Sequence, residues 1–214
     1  MPYSMEFIKP AEIETQSFAI IEAELRRRNV SCPANQMPIL QRVIHTSADF
    51  DYIQNLTFSE NAVEKALDAL RNGADIITDT NMALSGINKK SLHALGGEAH
   101  CFMSDPDVAA EAKRRGITRA MVSMEKAARL SSDNLIFAIG NAPTALIQLE
   151  QLIREHQLAP KLIIGVPVGF VNVVEAKELI LQSGVPCIVA RGNKGGSNIA
   201  AAICNALLYQ LYRA

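Results

Sequence analysis

One histidine in the sequence has a setting that suits acid catalysis. His45 follows the apolar residues Val43 and Ile44, so we expect it to be half-buried at the end of a helix. Imidazole changes its charge near neutral pH, which makes histidine a natural proton donor, and carboxylates of a substrate would favour the charged form. The same pattern is also typical of a structural histidine, so both roles stay open on the pattern alone.

Four loops dense in glycine and small polar residues follow predicted strands. Glycine permits close approach of a ligand, and free amides at a helix start bind anions. Arg191 and Lys194 add positive charge to the last of these loops, and Asp79 and Thr80 open the first. Ordinary turns also need glycine, but several such loops on one edge of a sheet favour a binding site. The loops span residues 79–88, 140–144, 167–171 and 191–197.

The loops lack the common nucleotide motifs. Residues 191–197 do not have the GxxxxGK[ST] spacing of a P-loop, and no GxGxxG follows the first strand. We therefore expect a large anionic ligand of another class.

Composition excludes several further classes. The chain has 214 residues, 49% of them apolar and 20% charged, which is enough for one domain with a sizeable core. A formal net charge of -1 and the absence of Trp argue against nucleic-acid partners, and no apolar run is long enough for a membrane span. The four cysteines form no CxxC pair and the four histidines are scattered, so no metal site is expected. Reduced thiols and the lack of a leader pattern indicate the cytoplasm.

The elements that must position these residues fall into two parts. The first quarter is predicted to be helical: apolar residues between Ile13 and Leu25 recur at helical spacing, and Pro33 follows. A second helix is predicted over 35–45. A third is predicted to start with Ser59 as its N-cap and to end at Gly73.

The remaining chain alternates strands and helices. Continuous apolar runs predict strands, which lie at 74–78, 98–103, 135–139, 162–166 and 187–190. The helices between them are predicted to begin at Asp105-Pro106, at Pro143, at Val173 and at Ser197. This alternation predicts a three-layer, flavodoxin-like, doubly wound α/β sheet of about five mainly parallel strands. We expect one domain over 1–214, with a helical N-terminal part (1–58) and an α/β core (59–214).

Several ordered strings also carry a resemblance to a known family. The most specific are GNAPTAL at 140–146 and PVGFV at 167–171. The others lie at 17–21, 42–45, 79–88, 118–119, 191–192 and 195–197. Through these strings nearly the whole chain resembles the precorrin-8X methylmutase family, together with its cobalt-dependent members.

The resemblance implies a reaction and an acid for it. These enzymes move a methyl group from C11 to C12 of the corrin ring of precorrin-8, giving hydrogenobyrinic acid, or cobyrinic acid when cobalt is present. The family is a homodimer that needs no redox cofactor, and its histidine corresponds to His45. A [1,5]-sigmatropic shift needs no nucleophile, and a general acid at a ring nitrogen would accelerate it about 10²–10⁴-fold.

A flat macrocycle with many carboxylate arms would need apolar walls and a rim of cations and amides. Met82, Phe170 and Val171 are candidates for the walls. Arg119 and Arg191 could bind carboxylates in bidentate fashion, with Lys194 as a point charge. Asp79 is open to two roles, a helix cap or a ligand contact. The predicted substrate-binding residues are Ser17, Asp79, Met82, Gly86, Asn88, Arg119, Gly140, Asn141, Thr144, Gly169, Phe170, Arg191, Gly192, Lys194 and Gly195.

Two other functions fit the same residues. One is a flavodoxin-like enzyme that acts on a phosphorylated metabolite, with residues 191–197 as the phosphate cradle. The other is a corrinoid or tetrapyrrole carrier without catalysis, in which replacing His45 would cost no function. The first predicts phosphate-competitive binding and no corrinoid affinity. We expect no cofactor, no metal, no nucleic acid and no membrane partner, and the N-terminal quarter is the expected homodimer interface.

Overall fold

A computed structural model describes residues 9–130 and 132–213 of the chain, so residues 1–8 of the expected N-terminal part lie outside the described residues. The helices of the described residues are α1 (Pro10–Arg27), α2 (Met37–Ser47), α3 (Tyr52–Asn55), α4 (Ala62–Arg71), α5 (Asn81–Gly86), α6 (Lys89–Ala94), α7 (Pro106–Arg115), α8 (Arg119–Ala127), α9 (Pro143–Arg154), α10 (Val173–Gln182) and α11 (Ser197–Leu211). The strands are β1 (Leu56–Phe58), β2 (Asp75–Thr78), β3 (Ala99–His100), β4 (Leu135–Ile139), β5 (Leu162–Gly165) and β6 (Cys187–Ala190).

The strands form one sheet in the order β1-β6-β5-β4-β2-β3. All neighbours pair in parallel except β1, which is antiparallel to β6. Without β1, the chain order across the sheet is second, first, third, fourth, fifth, which is the flavodoxin order. The predicted fold class is therefore confirmed, with six strands in place of about five. The strand order reverses between β2 and β4, and this switch point is where such folds bind ligands.

Helices cover both faces of the sheet. The core on one face joins α1, α2, α4 and α11 to inward residues such as Ile136 and Ile188. The core on the other face joins α8, α9 and α10 to Phe137 and Val189. Every residue of β4, β5 and β6 is buried, which explains why these strands appear in the sequence as unbroken apolar runs.

The extra strand, β1, lies in the segment that the sequence predicted to be helical. Leu56 pairs with Ala190 and Phe58 with Ile188, so β1 covers the edge of β6. The predicted N-cap role of Ser59 is wrong: its Oγ accepts a hydrogen bond from the Cys187 amide at 2.8 Å, and α4 begins after Asn61. A three-residue strand shows too little alternation to be recognised, and a serine at a strand end can cap a helix or pair with a neighbour.

Short helices occupy two regions for which no helix was predicted. The loop expected over 79–88 contains α5, which is capped by Thr80, and leads to α6, which is capped by Asn88. Helix α8 is capped by Thr118. Helices of six to nine residues give little periodic signal, so their caps were the available clues.

None of the helices in the described ranges 9–130 and 132–213 is long and apolar enough to cross a membrane.

Candidate active site

The loops after β2 and β4 meet at the switch point through one carboxylate. Asp79 Oδ1 accepts the amide of Gly140 at 2.8 Å, and its Oδ2 accepts the amides of Asn141 and Ala142 at 2.8 and 2.6 Å. These amides lie at the entrance of α9, whose N-cap position is Ala142 and offers no side-chain cap. The carboxylate of Asp79 therefore caps α9 from a neighbouring strand.

Asp79 is completely buried, with 0% of its surface exposed. Burial raises the pKa of its carboxyl, whereas the three amide hydrogen bonds favour the ionised form. Of the two roles left open by the sequence, the geometry supports a cap and gives no support to a ligand contact. The carboxylate of Asp79 also occupies three amides at a helix entrance that could otherwise bind an anion.

The loop between β6 and α11 packs closely against the same edge. A Cβ at Gly140 would lie 2.6 Å from Ser197 Cα, and a Cβ at Gly195 would lie 2.1 Å from the Val166 carbonyl oxygen. Thr80 Oγ1 and Ser197 Oγ are 2.8 Å apart, which joins the β2 loop to the start of α11. Gly140 and Gly195 are thus required by chain packing.

The β5 loop is tied to the β6 loop by a reciprocal pair of hydrogen bonds. The Gly169 amide donates to the Asn193 carbonyl oxygen at 3.1 Å, and Asn193 Nδ2 donates to the Gly169 carbonyl oxygen at 2.7 Å. Gly169 has a φ of 147° and Gly192 a φ of 74°, angles that favour glycine. The predicted glycines therefore shape the loops, and this accounts for their presence without a ligand.

A buried lysine that the sequence analysis missed holds the same loop. Lys177 lies on α10 with 0% exposure, and its Nζ donates to the carbonyl oxygens of Gly192 and Lys194 at 2.6 and 2.9 Å. A signal was present: Lys177 falls in the apolar stripe formed by Val173, Ala176 and Ile180. A cation at such a position predicts a specific partner.

Two of the three predicted carboxylate-binding cations are already paired within the chain. Arg191 makes a bidentate contact with Glu178 at 2.9 and 2.7 Å. Lys194 Nζ lies 2.6 Å from both Asp49 and Asp51, and these bonds raise the pKa of Lys194. Both pairs are exposed, so each is weak and a substrate carboxylate can compete for the cation.

Arg119 is the predicted cation that remains available. It is exposed at the first position of α8, and its guanidinium contacts no acidic residue in the described part of the chain. Nearby, Thr118 Oγ1 and Thr144 Oγ1 are 2.9 Å apart, which links the entrances of α8 and α9. Asn141 is exposed beside them, with its amide on Asp79 and its side chain free of hydrogen bonds to described residues.

His45 lies in the last turn of α2, half-buried as expected. Its ring stacks on Phe18 of α1, with ring centroids 5.0 Å apart and planes 13° apart. Arg42 lies over the same Phe18 ring at 4.6 Å and pairs with Glu14 at 2.6 Å. The His45 ring donates and accepts no hydrogen bond within residues 9–130 and 132–213, so its nitrogens are left for an external partner.

The end of α2 connects His45 to the loop of residues 191–197. Asp49 and Asp51 follow α2 and bind Lys194, which places the last turn of α2 at the edge of the sheet where the glycine loops lie. Helix α2 also packs against α11, whose first residue, Ser197, is the last residue of that loop. The histidine and the loops are therefore on the same side of the molecule.

The remaining predicted polar residues have contacts within the chain. Ser17 Oγ donates to the Ile13 carbonyl oxygen at 2.9 Å. Asn88 caps α6, and its Nδ2 lies 3.3 Å from Tyr209 Oη. A Cβ at Gly86 would lie 2.8 Å from the Cβ of Ala201, so Gly86 allows α5 to pack on α11. Asn88 and Gly86 therefore have structural roles, whereas Ser17 adjoins Phe18 and can exchange its bond.

Apolar side chains project into solvent near the glycine loops. Phe170 is 91% exposed and Val171 76% exposed on the β5 loop, and Met82 is 70% exposed on α5. Large apolar side chains that gather on an exposed surface are typical of a site that binds a ligand or a partner. This agrees with the expected apolar walls.

A cavity of about 620 Å³ lies at the opposite edge of the sheet. Its lining includes Asn72, Asn134, Pro160 and Pro186, which precede strands or follow α4. It contains none of the predicted site residues. Because open α/β sheets bind ligands beyond the carboxyl ends of their strands, we place the candidate site at the edge with His45 and the glycine loops.

The described residues contain no group of three or more His, Cys, Asp or Glu side chains that could hold a metal ion.

Comparisons with known proteins agree along nearly the whole chain. A family model described as precorrin-8X methylmutase matches residues 12–210. The cobalt-precorrin-8 methylmutase of Salmonella typhimurium is 46% identical, over 98% of this chain and 100% of the relative. The precorrin-8X methylmutase of Pseudomonas aeruginosa is 37% identical, over 95% and 97%. A crystal structure of precorrin-8X methylmutase from Thermus thermophilus is 36% identical, with a TM-score of 0.83 over 92% of this chain and 96% of that one.

Proposed function

This chain belongs to the precorrin-8X methylmutase family, and from that premise we propose that His45 is the acid that assists its methyl shift. The protein is an isomerase of cobalamin biosynthesis, an intramolecular methyl transferase that acts on a corrinoid. The reaction moves a methyl group from C11 to C12 of precorrin-8X or cobalt-precorrin-8. The products are hydrogenobyrinic acid and cobyrinic acid, respectively.

The observation that carries the proposal is the environment of the His45 ring. Phe18 supports one face of the ring, while its nitrogens have no hydrogen-bond partner within the described residues. A structural histidine at a half-buried position normally uses its nitrogens within the fold. His45 is therefore held in orientation by stacking and offers a proton to a bound molecule.

The chemistry requires little more than this acid and a rigid cradle. A sigmatropic shift breaks and forms one carbon–carbon bond without a nucleophile or a hydride. A proton on, or hydrogen-bonded to, a ring nitrogen beside the migrating carbon stabilises the charge that develops in the ring. A positioned acid of this kind contributes about 10²–10⁴-fold.

The cradle has an apolar and a charged part. We propose that Met82, Phe170 and Val171, which are exposed, contact the face of the macrocycle. Arg119, which has no partner within the described ranges, is the first choice for a carboxylate arm, and Ser17, Asn141 and Thr144 donate further hydrogen bonds. Arg191 and Lys194 join them by exchanging their exposed acidic partners for carboxylates of the substrate.

The two alternative functions have less support. Asp79 occupies the amides at the entrance of α9, so the phosphate alternative is left with residues 191–197, whose cations Arg191 and Lys194 are already paired with acidic residues. A carrier would need no acid, whereas the His45 ring is supported by Phe18 and its nitrogens make no hydrogen bond to a described residue. Family membership likewise favours the enzyme.

We also propose that the protein is a homodimer. Exposed apolar residues on α1, Ile13 at 51% and Ile20 at 63%, are consistent with the N-terminal quarter as the interface. The cytoplasmic location expected from the sequence stays a prediction.

A spectrophotometric titration tests the proposal. Purified protein and its His45→Ala variant are titrated with hydrogenobyrinic acid and with cobyrinic acid, whose visible bands report binding. We expect a saturable shift of the visible bands with the wild type. In His45→Ala the bands of the bound corrinoid should lie at different positions, because a nitrogen of the corrin ring loses its hydrogen-bond donor. The absence of any shift with folded wild-type protein would contradict the proposal. The ligand that binds more tightly would indicate whether cobalt is present in the natural substrate.

A further inference from the structure

Lys177 is a buried lysine whose ammonium contacts no carboxylate in the described part of the chain. Its Nζ donates to two backbone carbonyl oxygens, those of Gly192 and Lys194, at 2.6 and 2.9 Å. Burial lowers the pKa of Lys177 to about 8, so the charged form still predominates at neutral pH. Because burial of a cation is costly, an apolar side chain would suit this position on α10 better if packing were its only role.

The two hydrogen bonds fix the direction of two peptide groups. A trans peptide is planar, and its N–H points opposite to its C=O. Since the carbonyl groups of Gly192 and Lys194 point at Lys177, the amides of the following residues, Asn193 and Gly195, point away from it. Neither amide donates a hydrogen bond to a described residue, and Asn193 is exposed.

The position of Gly195 supports a fixed direction for these amides. Its backbone lies so close to β5 that a Cβ would be 2.1 Å from the Val166 carbonyl oxygen. The next amide, that of Gly196, donates to the same oxygen at 2.9 Å. The loop is thus held on one side by Val166 and on the other by Lys177, which leaves little freedom for its peptide groups to rotate.

We propose that Lys177 is a positioning residue that turns the amides of Asn193 and Gly195 outward to receive one carboxylate arm of the corrinoid. The inference rests on the proposed function, because it takes the corrinoid as the ligand. Arg191 and Lys194, the cations of this loop, are paired with Glu178, Asp49 and Asp51. The amides of Asn193 and Gly195 can therefore bind a carboxylate without breaking an existing contact, and amide bonds to a carboxylate are strengthened by its charge.

The first test observes the amides directly. Wild-type protein labelled with ¹⁵N is titrated with hydrogenobyrinic acid, and the backbone ¹H–¹⁵N signals of Asn193 and Gly195 are followed by NMR. We expect both signals to move downfield to saturation with the same Kd as the visible bands. If other signals shift at saturation while these two stay in place, the proposal is overturned, whatever the variants show.

The second test separates positioning from a general structural effect. Lys177→Met removes the ammonium at nearly constant volume, and Lys161→Met is a matched control at an exposed lysine. Each variant is titrated with hydrogenobyrinic acid and with the same corrinoid after conversion of all its carboxylates to methyl esters. We expect Lys177→Met to raise the Kd of the acid about tenfold and the Kd of the ester less than twofold, because only the acid makes a charged hydrogen bond. Lys161→Met should change neither.

The outcomes distinguish this inference from the proposed function. Equal weakening of acid and ester in Lys177→Met would show a merely structural role and overturn the inference. An unchanged Kd for the acid would also overturn it while the methylmutase proposal stands. Failure of the wild type to bind either ligand would overturn both. If Lys177→Met does not fold, the NMR signals of the wild type decide.

Discussion

At the scale of the residue, the buried carboxylate of Asp79 fixes the conformation of the loop after β4. Its two oxygens accept three consecutive amides at the start of α9, where the N-cap residue itself, Ala142, offers no side-chain cap. Hydrogen bonds to a charged group contribute about 1.5–3 kcal/mol each, and their loss leaves buried donors without partners. We therefore expect Asp79, whose side chain is completely buried, to have a large effect on stability.

The variant Asp79→Asn tests this role. An asparagine keeps the shape but presents an NH₂ group to one or more of the amides, which cannot accept a hydrogen bond. We expect the free energy of unfolding to fall by about 2–4 kcal/mol in chemical denaturation. Asp133→Asn, at an exposed aspartate, is the control and should change it by less than about 0.5 kcal/mol. Equal stability of Asp79→Asn and the wild type would refute the role.

At the scale of the element, the contact between the β4 loop and α11 depends on the absence of a side chain. A Cβ at Gly140 would overlap the backbone of Ser197, and backbone atoms cannot swing away as a flexible side chain does. The start of α11 would have to move away from β4, together with the loop that precedes it.

Gly140→Ala should therefore lower the free energy of unfolding by about 2–4 kcal/mol and weaken corrinoid binding as well. Gly184→Ala is the matched comparison, because a Cβ there meets nothing within 4 Å and only the φ of +77° opposes it. That variant should cost about 1–2 kcal/mol and leave binding unchanged. Thermal and denaturant unfolding together with the visible titration measure both effects. A Gly140→Ala protein as stable as the wild type would disprove the close packing.

The elements that could be predicted from sequence are those whose patterns are long and local. The unbroken apolar runs placed β4 and β6 at their observed bounds, and a helix was predicted to begin at Val173, where α10 begins. By contrast, β1 has three residues and α5 has six, too few for either period to appear. Their positions follow from contacts across the fold, such as the pairing of β1 with β6.

The residues of the candidate site divide in the same way, into those with a local signal in the sequence and those whose contacts come from distant parts of the chain. The glycine loops were predicted from their residue types and their places after strands, and Arg119 from the resemblance at 118–119; both stay predictions as parts of a site. The pairing of Lys194 with Asp49 and Asp51 joins residues about 145 positions apart, and no local pattern indicates it. Likewise, the two carbonyl partners of Lys177 come from another loop, although a lysine within an apolar stripe could have been noticed.

At the scale of the whole molecule, the exposed apolar residues on α1 lead to a prediction about assembly. Burying Ile20 against a second copy would remove apolar surface from water, and a charge at that position would oppose association. We expect analytical ultracentrifugation to give the mass of two chains for the wild type and of one chain for Ile20→Asp. Leu179→Asp, at a partly exposed leucine on α10, should remain a dimer. A monomeric wild type, or a dimeric Ile20→Asp, would contradict the proposed interface.

If the site is shared between subunits, mixed dimers will reveal it. Neither His45→Ala nor Arg191→Glu is expected to be active alone. Mixing them restores one intact site only when the two residues of a site come from different chains. Recovery of about a quarter to a half of the wild-type activity would indicate sharing, and no recovery would place His45 and Arg191 in one chain's site.

The most direct test of the central claim is the methyl shift itself. Precorrin-8 carrying ¹³C in its C11 methyl group is incubated with the wild type and with His45→Gln, and ¹³C NMR follows the appearance of the methyl group at C12. We expect rapid transfer by the wild type and a fall in kcat of about 10²–10⁴-fold in His45→Gln, with hydrogenobyrinic acid still bound. Wild-type rates in His45→Gln would show that His45 is not the acid, and the absence of transfer by the wild type would contradict the methylmutase assignment.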